Sequence, residues 1–195
     1  MIPLNVGLDA WMIQEGCYDN FCVGDQVDFV LEFFPRWMSH SRPEIHEVEH
    51  LGNCYYRLRA RIVYRDDSLW IIDAGFRAFC FGQINPLIRR GNWIELEVYL
   101  GLDTKCGAYR DRIAELMAPY QVRSIRRDTA FRRMMQRQEN QAISPGSRLV
   151  LVGAGGAEQD HPMPPAAEVE ATDAWDDDGG RAHYVLQCDP IPGFG

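Results

Sequence analysis

The chain has 195 residues, of which 46% are hydrophobic and 25% are charged. This length and composition are typical of one compact domain that buries a core, and they exclude a disordered tail, a collagen and a coiled coil. The sequence contains no run of about 18 apolar residues, so we expect no membrane span. The first residues lack a basic stretch followed by an apolar stretch, so we expect no signal peptide and a cytoplasmic location.

The formal net charge of −8 is unevenly distributed along the chain. Residues 1–103 carry −6, residues 104–140 carry +5 and residues 141–195 carry −7. Because phosphate neutralisation supplies most of the affinity of a nucleic-acid-binding protein, this balance disfavours nucleic acid as the partner. The six cysteines include no Cys-x-x-Cys pair. We therefore expect reduced, buried thiols, with no disulfide and no cysteine-based metal site.

Alternation of apolar and polar residues with a period of two predicts four half-buried strands, because alternate side chains of a strand lie on opposite faces. The predicted strands span residues 26–34, 55–65, 69–81 and 93–100. Four bases and five acids are expected on the outward face of these strands, namely Asp28, Glu32, Arg57, Arg59, Arg61, Asp73, Arg77, Glu95 and Glu97. Such a mixture predicts a solvated, ion-paired surface.

Beyond Leu100 the spacing of apolar residues changes and predicts a helix near 105–118 and a second short helix near 129–140. Further strands are predicted at 120–127, 148–152, 168–175 and 182–188, with a turn at 176–180. The whole chain, residues 1–195, is interpreted as a single domain. Its parts are a β-rich core over about residues 1–127, a helix and loop segment at 128–165 and a C-terminal β-hairpin at 166–190.

These elements predict a mainly β fold of the α+β class, in which a twisted antiparallel sheet closes partly into a barrel. The order of four strands, a helix and further strands is similar, at the level of architecture, to the oligonucleotide/oligosaccharide-binding (OB) barrel. That fold places its helix between the third and fourth strands, whereas only residues 82–92 lie there in this chain. The OB-like similarity identifies no family, and similarity of fold would not determine function.

The segment His46-Glu47-Val48-Glu49-His50 matches the H-E-x-x-H pattern, in which a helix places two histidines on zinc and the Glu acts as general base. Pro43 disfavours a helix here. We therefore expect a solvated acidic loop over residues 39–52. Two alternatives remain open: a zinc-dependent hydrolase that uses His46, Glu47 and His50, and a structural metal held by His40, His46 and His50.

Residues 149–157 have the strand and glycine-rich turn that begin a dinucleotide-binding unit. The helix that should follow is forbidden by Pro162, Pro164 and Pro165, so no nucleotide cofactor is expected. The sequence also lacks the G-x-S-x-G and P-loop motifs, and no residue is singled out as catalytic.

The leading hypothesis is a non-catalytic interaction protein that binds another macromolecule, namely a protein, through charged loops. The alternative is an OB-like domain for single-stranded nucleic acid, with Tyr55, Phe79, Trp93 and Tyr99 as stacking groups. The candidate partner-binding residues are Arg57, Arg59, Arg61, Glu44, Glu47, Glu49, Arg126, Arg127, Arg132 and Arg133.

Overall fold

A computed structural model describes residues 2–82, 87–104, 116–128 and 167–192 of the chain. These residues form one sheet of eleven strands and a short helix, α1 (Ala10–Gln14). The strands are β1 (Leu4–Asp9), β2 (Gln26–Phe29), β3 (Leu31–His40), β4 (Glu47–Gly52), β5 (Tyr55–Arg65), β6 (Leu69–Asp73), β7 (Arg77–Phe81), β8 (Trp93–Leu102), β9 (Ala118–Arg127), β10 (Ala167–Val169) and β11 (His183–Pro190). Within these ranges, no helix has the length and apolar character needed to cross a membrane.

The strands follow the order β10-β9-β11-β1-β8-β3-β7-β6-β5-β4, and β2 pairs with β9. Strand β5 also pairs with β8, so β8, β3, β7, β6 and β5 form a closed ring of five strands. The predicted mainly β, partly closed fold is therefore confirmed. The sheet is not purely antiparallel, because β1 pairs with β8 and β3 pairs with β7 in parallel.

Strand β8 joins the ring to the rest of the sheet. One of its edges pairs with β3 over almost its whole length, from Leu102 to Ile94. A strand has only two edges, so β5 and β1 must share the other one. Strand β5 pairs with β8 from Trp93 to Tyr99, and β1 takes over at Gly101, which pairs with Gly7. The sheet thus branches between Tyr99 and Gly101.

The main core lies inside the ring and continues under β1, β9 and β11. Alternate residues of β5 and β8 supply fully buried apolar side chains, for example Leu58, Ile62 and Leu96. At about 25 cal/mol per Å² of apolar surface, the burial of such side chains is the main stabilising contribution. A second, smaller cluster of Val30, Leu69, Ile71, Phe79 and Leu116 covers the other face of β6 and β7.

Two predicted strands are corrected by the structure. Residues 69–81 form a hairpin of β6 and β7 instead of one strand, because Gly75 takes a positive φ of 89° and the chain reverses there. The strand predicted at 26–34 is divided at Val30 into β2 and β3. Glu32, expected on the outward face, is 3% exposed, and its carboxylate accepts hydrogen bonds from the backbone N–H and hydroxyl of Thr104 at 2.9 and 2.6 Å.

The acidic loop expected over residues 39–52 is also shorter than predicted. Strand β3 continues to His40 and β4 begins at Glu47, so only residues 41–46 connect them. Strand β4 has the burial pattern of an exposed edge strand, in which Val48 alone packs on the core. The sequence lacks the apolar alternation that reveals a strand, because only one of its residues needs to be apolar.

The predictions for the second half of the chain have mixed outcomes. Strands at 120–127 and 182–188 are confirmed as β9 and β11, whereas β10 is much shorter than the predicted 168–175. The expected C-terminal hairpin is wrong, because β10 and β11 both pair with β9 and lie on opposite sides of it. Residues 105–115, 129–140 and 148–152 lie outside the described residues. The end of the helix predicted near 105–118 is wrong, because Ala118 begins β9.

The cysteines only partly follow expectation. Cys54, Cys80 and Cys188 are buried free thiols, and Cys22 is an exposed one. Burial raises the pKa of each of the three buried thiols to about 12, which makes them unreactive at neutral pH. Cys17, in contrast, is disulfide-bonded, which corrects the expectation that the chain contains no disulfide.

The buried thiols predict a loss of stability at alkaline pH. In the unfolded chain these thiols lose protons near pH 9, whereas in the native state they do so near pH 12. The unfolded state therefore binds fewer protons between these values, and the free energy of unfolding falls as pH rises through that window. Urea unfolding measured at several pH values should show this decline above about pH 9. Constant stability up to pH 12 would contradict the assignment of these thiols to the core.

Candidate functional site

A row of charged side chains crosses the outer face of β4, β5 and β8. Arg57 on β5 contacts Glu49 on β4 and Glu97 on β8, with each nitrogen–oxygen distance at 2.8 Å. Arg59 makes the next rung, at 2.5 Å from Glu47 and 3.7 Å from Glu95. Register explains the arrangement, since Arg57 and Arg59 each lie directly opposite one Glu of β4 and one Glu of β8. We call these six residues the charged ladder.

The charged ladder carries an excess of negative charge, because four carboxylates surround two guanidinium groups. The hydrogen bond with Glu97 and the charge of Glu49 raise the pKa of Arg57 above its usual value. Arg59 is the more enclosed of the two bases, with 18% of its side chain exposed. The β4 carboxylates of Glu47 and Glu49 are 56% and 54% exposed. The negative charge of the ladder is thus presented mainly along β4.

Aromatic side chains flank one end of the charged ladder. Trp37 on β3 lies opposite Glu97 and is 49% exposed. The guanidinium group of Arg36 lies 5.0 Å from the ring centre of Tyr55, which suits a cation–π contact. The ring of Tyr55 in turn meets that of Tyr99 at 5.4 Å. Charged and aromatic groups therefore occupy one continuous face.

The structure brings together only some of the predicted partner-binding residues. Arg57, Arg59, Glu47 and Glu49 all belong to the charged ladder. Arg61 lies on the same strand, where it pairs in register with Asp73 and Trp93, but it makes no ion pair with any residue the structure describes. The remaining candidates are apart from the ladder: Glu44 in the exposed β3–β4 connection, Arg126 and Arg127 on β9, and Arg132 and Arg133 outside the described residues.

The predicted stacking groups are not all on one surface. Phe79 is fully buried in the second core cluster, which corrects its assignment to an outward platform. Tyr55, Trp93 and Tyr99 do lie on the outer face, beside Arg57 and Arg59. A single-strand-binding platform needs net positive charge next to its aromatic rings. Here the arginines of the charged ladder are each neutralised by two carboxylates.

The H-E-x-x-H segment does not form the helix that zinc binding requires. Glu47 and His50 belong to β4, and His46 immediately precedes it. At about 3.3 Å per residue, the two histidines are about 13 Å apart along the chain, too far to share an ion. His46 contacts Asp73 at 3.7 Å, whereas the Nε2 atom of His50 lies 2.7 Å from the carbonyl oxygen of Asn53. The described ranges contain no group of three potential metal ligands, His40 included.

A chain of hydrogen bonds that sequence analysis missed joins three strands at the branch of the sheet. The hydroxyl of Tyr99 on β8 lies 3.1 Å from Nε2 of His183 on β11. The Nδ1 atom of His183 lies 2.8 Å from the carboxylate of Asp9 on β1. Since an ionised carboxylate only accepts, Nδ1 of His183 donates to Asp9, and in the neutral imidazole Nε2 accepts from the Tyr99 hydroxyl. No sequence motif predicts these hydrogen bonds, because the three residues that form them are far apart in the sequence.

The order of an acid, a histidine and a hydroxyl is shared with nucleophilic triads, but the surroundings here favour a structural role. A Cβ atom added to Gly7 would come within 1.6 Å of the Tyr99 hydroxyl, so that hydroxyl lies against the backbone of β1. His183 is 3% exposed. Burial raises the pKa of Tyr99 well above its usual value, which keeps the hydroxyl protonated as a donor. The hydrogen-bonded residues Tyr99, His183 and Asp9 therefore link β8, β11 and β1. We call these three residues the polar clasp.

The polar clasp predicts unequal effects of two glycine substitutions. Gly7→Ala should lower the free energy of unfolding by about 2–3 kcal/mol, because the new methyl group must displace the Tyr99 hydroxyl. Gly101→Ala is the matched control on the paired strand, since its nearest neighbour would be a Tyr99 ring carbon at 3.3 Å. We expect the control to cost less than about 1 kcal/mol in urea unfolding. Equal effects of the two changes would contradict the described packing.

The charged ladder predicts a second pair of outcomes. Arg59→Met should destabilise the protein by about 1 kcal/mol, because Glu47 and Glu95 lose the base that lies between them. Arg61→Met, on the same strand and exposed, should change stability by less than about 0.5 kcal/mol. Thermal or urea unfolding distinguishes the two variants, and a loss at Arg61 as large as that at Arg59 would argue against the ladder.

Comparison of the chain with protein-family models, with curated proteins and with solved structures finds no match. Function is therefore inferred from the geometry of the outer face alone.

Proposed function

We propose that this protein is a non-catalytic interaction module that binds a protein partner with a basic surface through the charged ladder. The observation that supports the proposal is the excess of carboxylates over guanidinium groups on strands β4, β5 and β8. The geometry of the charged ladder matters as much as its charge, because the arginines and the β-sheet hold the carboxylates in fixed positions. A partner then finds the negative groups already placed, and binding costs less side-chain entropy.

The neighbouring aromatic residues suit the same role. Trp37 is about half exposed and lies beside Glu97, and exposed aromatic side chains are enriched at the centres of protein interfaces. The carboxylates would govern the rate of encounter and the choice of partner, whereas Trp37 and Tyr55 would supply buried area. Surface ion pairs contribute only about 0.2–1 kcal/mol each to folding, so the fold itself has little need of such a ladder.

The cellular location belongs to the proposal as well. The buried free thiols of Cys54, Cys80 and Cys188 suit the cytoplasm that the sequence predicts. The disulfide of Cys17 is instead typical of an oxidising compartment. We propose a cytoplasmic location, and fractionation of the source cells tests it. The protein should be recovered in the cytoplasmic fraction, and its recovery from an oxidising compartment would contradict the proposal.

The test of the proposed function is affinity capture at low ionic strength from an extract of the source cells that is divided into nuclease-treated and untreated halves. Three baits are compared: the unaltered protein, a variant with Glu47, Glu49, Glu95 and Glu97 changed to Gln, and a control variant. The control changes the exposed acids Asp176, Asp178, Glu168 and Glu170 to the corresponding amides, which removes the same charge elsewhere. Circular dichroism checks that each bait is folded.

We expect one basic protein to be retained by the unaltered bait and the control but lost from the ladder variant. Retention should weaken steeply as ionic strength rises towards about 0.15 M, since exposed charges are then screened beyond about 8 Å. Equal capture by all three baits would contradict the proposal. Capture that disappears with nuclease treatment would instead support the nucleic-acid alternative.

A further inference from the structure

Strand β4 is an open edge of the sheet. Among the described residues it pairs only with β5, and it ends the strand order at that side. An edge strand presents a row of backbone N–H and C=O groups that another extended chain can pair with. With six residues, β4 is also longer than the edge strands β2 and β10, which have four and three.

The side chains along β4 determine which kind of extended segment can pair with this edge. Glu47 and Glu49 lie on the outer face at alternate positions, and each has an arginine of β5 on one side only. The other side of each carboxylate faces the open edge. An added strand would therefore place alternate residues directly opposite Glu47 and Glu49, where a cation is favoured. Between them Val48 packs on the core, so the intervening position faces an apolar neighbour.

The same charges argue against a second copy of this chain as the occupant. Antiparallel pairing of β4 with itself about Val48 would set Glu47 opposite Glu49 twice, and parallel pairing in register would set each Glu against its own copy. Like charges directly opposite each other destabilise a strand pair. The edge is therefore protected from self-association while it stays open to a basic chain.

We propose that a protein partner binds by adding an extended basic-x-basic segment to β4, with its Lys or Arg side chains opposite Glu47 and Glu49 and its backbone paired with the edge. This inference rests on the proposed function and specifies how its partner is recognised. Main-chain hydrogen bonds would supply affinity, and the alternation of charge would supply register and specificity.

The test uses synthetic peptides of about nine residues, long enough to span β4 at about 3.3 Å per residue. One peptide alternates Arg with Val or Thr, and a second has the same composition with the arginines in one block. Two further peptides repeat the alternating sequence with N-methyl groups either on the Arg residues or on the intervening residues. Each methylation pattern removes the donors from one edge of the peptide only. Binding is measured by fluorescence anisotropy at low ionic strength.

We expect the alternating peptide to bind at least about tenfold more tightly than the blocked one, and one methylation pattern to lose at least about tenfold while the other loses less than about threefold. Glu47→Gln with Glu49→Gln should weaken the alternating peptide. The control variant, Glu168→Gln with Glu170→Gln, removes two exposed acids elsewhere and should not.

Equal effects of the two methylation patterns, or equal binding of alternating and blocked peptides, would overturn strand addition. If the blocked peptide still binds and its binding depends on Glu95 and Glu97, strand addition is contradicted but the proposed function is supported. If no basic peptide binds at low ionic strength, both proposals are contradicted.

Discussion

Two strands share one edge of β8, and this sharing determines the layout of the whole sheet. Because β3 occupies the opposite edge, β5 and β1 must divide this one, and the exchange takes place between Tyr99 and Gly101. The ring of five strands closes through β5, and β1 leads to β11 and β9. Gly7 and Gly101 leave room for this change, since Tyr99 lies over both. The hydrogen bonds from Tyr99 through His183 to Asp9 then hold the three strands together.

The outer face follows from the same arrangement. The register that β8 imposes on β5 sets Arg57 opposite Glu97 and Arg59 opposite Glu95, and β4 repeats this on the other side of β5. Each arginine therefore lies between two carboxylates and is not a free cation, and carboxylates dominate the face on which the nucleic-acid alternative placed its stacking residues. The function we propose is a consequence of this pairing, which no single strand reveals.

The sequence predicted the buried strands well because burial imposes alternation: β5 and β8 were located almost to the residue. It failed at β4, where only Val48 needs to be apolar, and at β6 and β7, where one buried run contains a turn at Gly75. The candidate site was half predicted. Arg57 and Arg59 were identified as outward-facing, but their partners depend on strand order, which alternation does not encode.

The polar clasp could not be predicted for a related reason. Asp9, Tyr99 and His183 are brought together only when β8 pairs with β1 and β1 pairs with β11. The H-E-x-x-H match is the opposite case, a motif whose residues do not come together. Its spacing brings two histidines to one side only on a helix, and the chain is extended there. In both cases the chemistry depends on tertiary structure that the local pattern does not determine.

A double-mutant cycle between Tyr99→Phe and His183→Leu tests the role of the branch most directly. Urea unfolding of the two single variants and of the double variant isolates the interaction between the two side chains. If the polar clasp holds the branch together, the coupling should be about 1 kcal/mol, the usual net contribution of a buried hydrogen bond. Strictly additive effects would mean that Tyr99 and His183 do not interact as described, and would contradict the role of this hydrogen bond in holding β8 to β11.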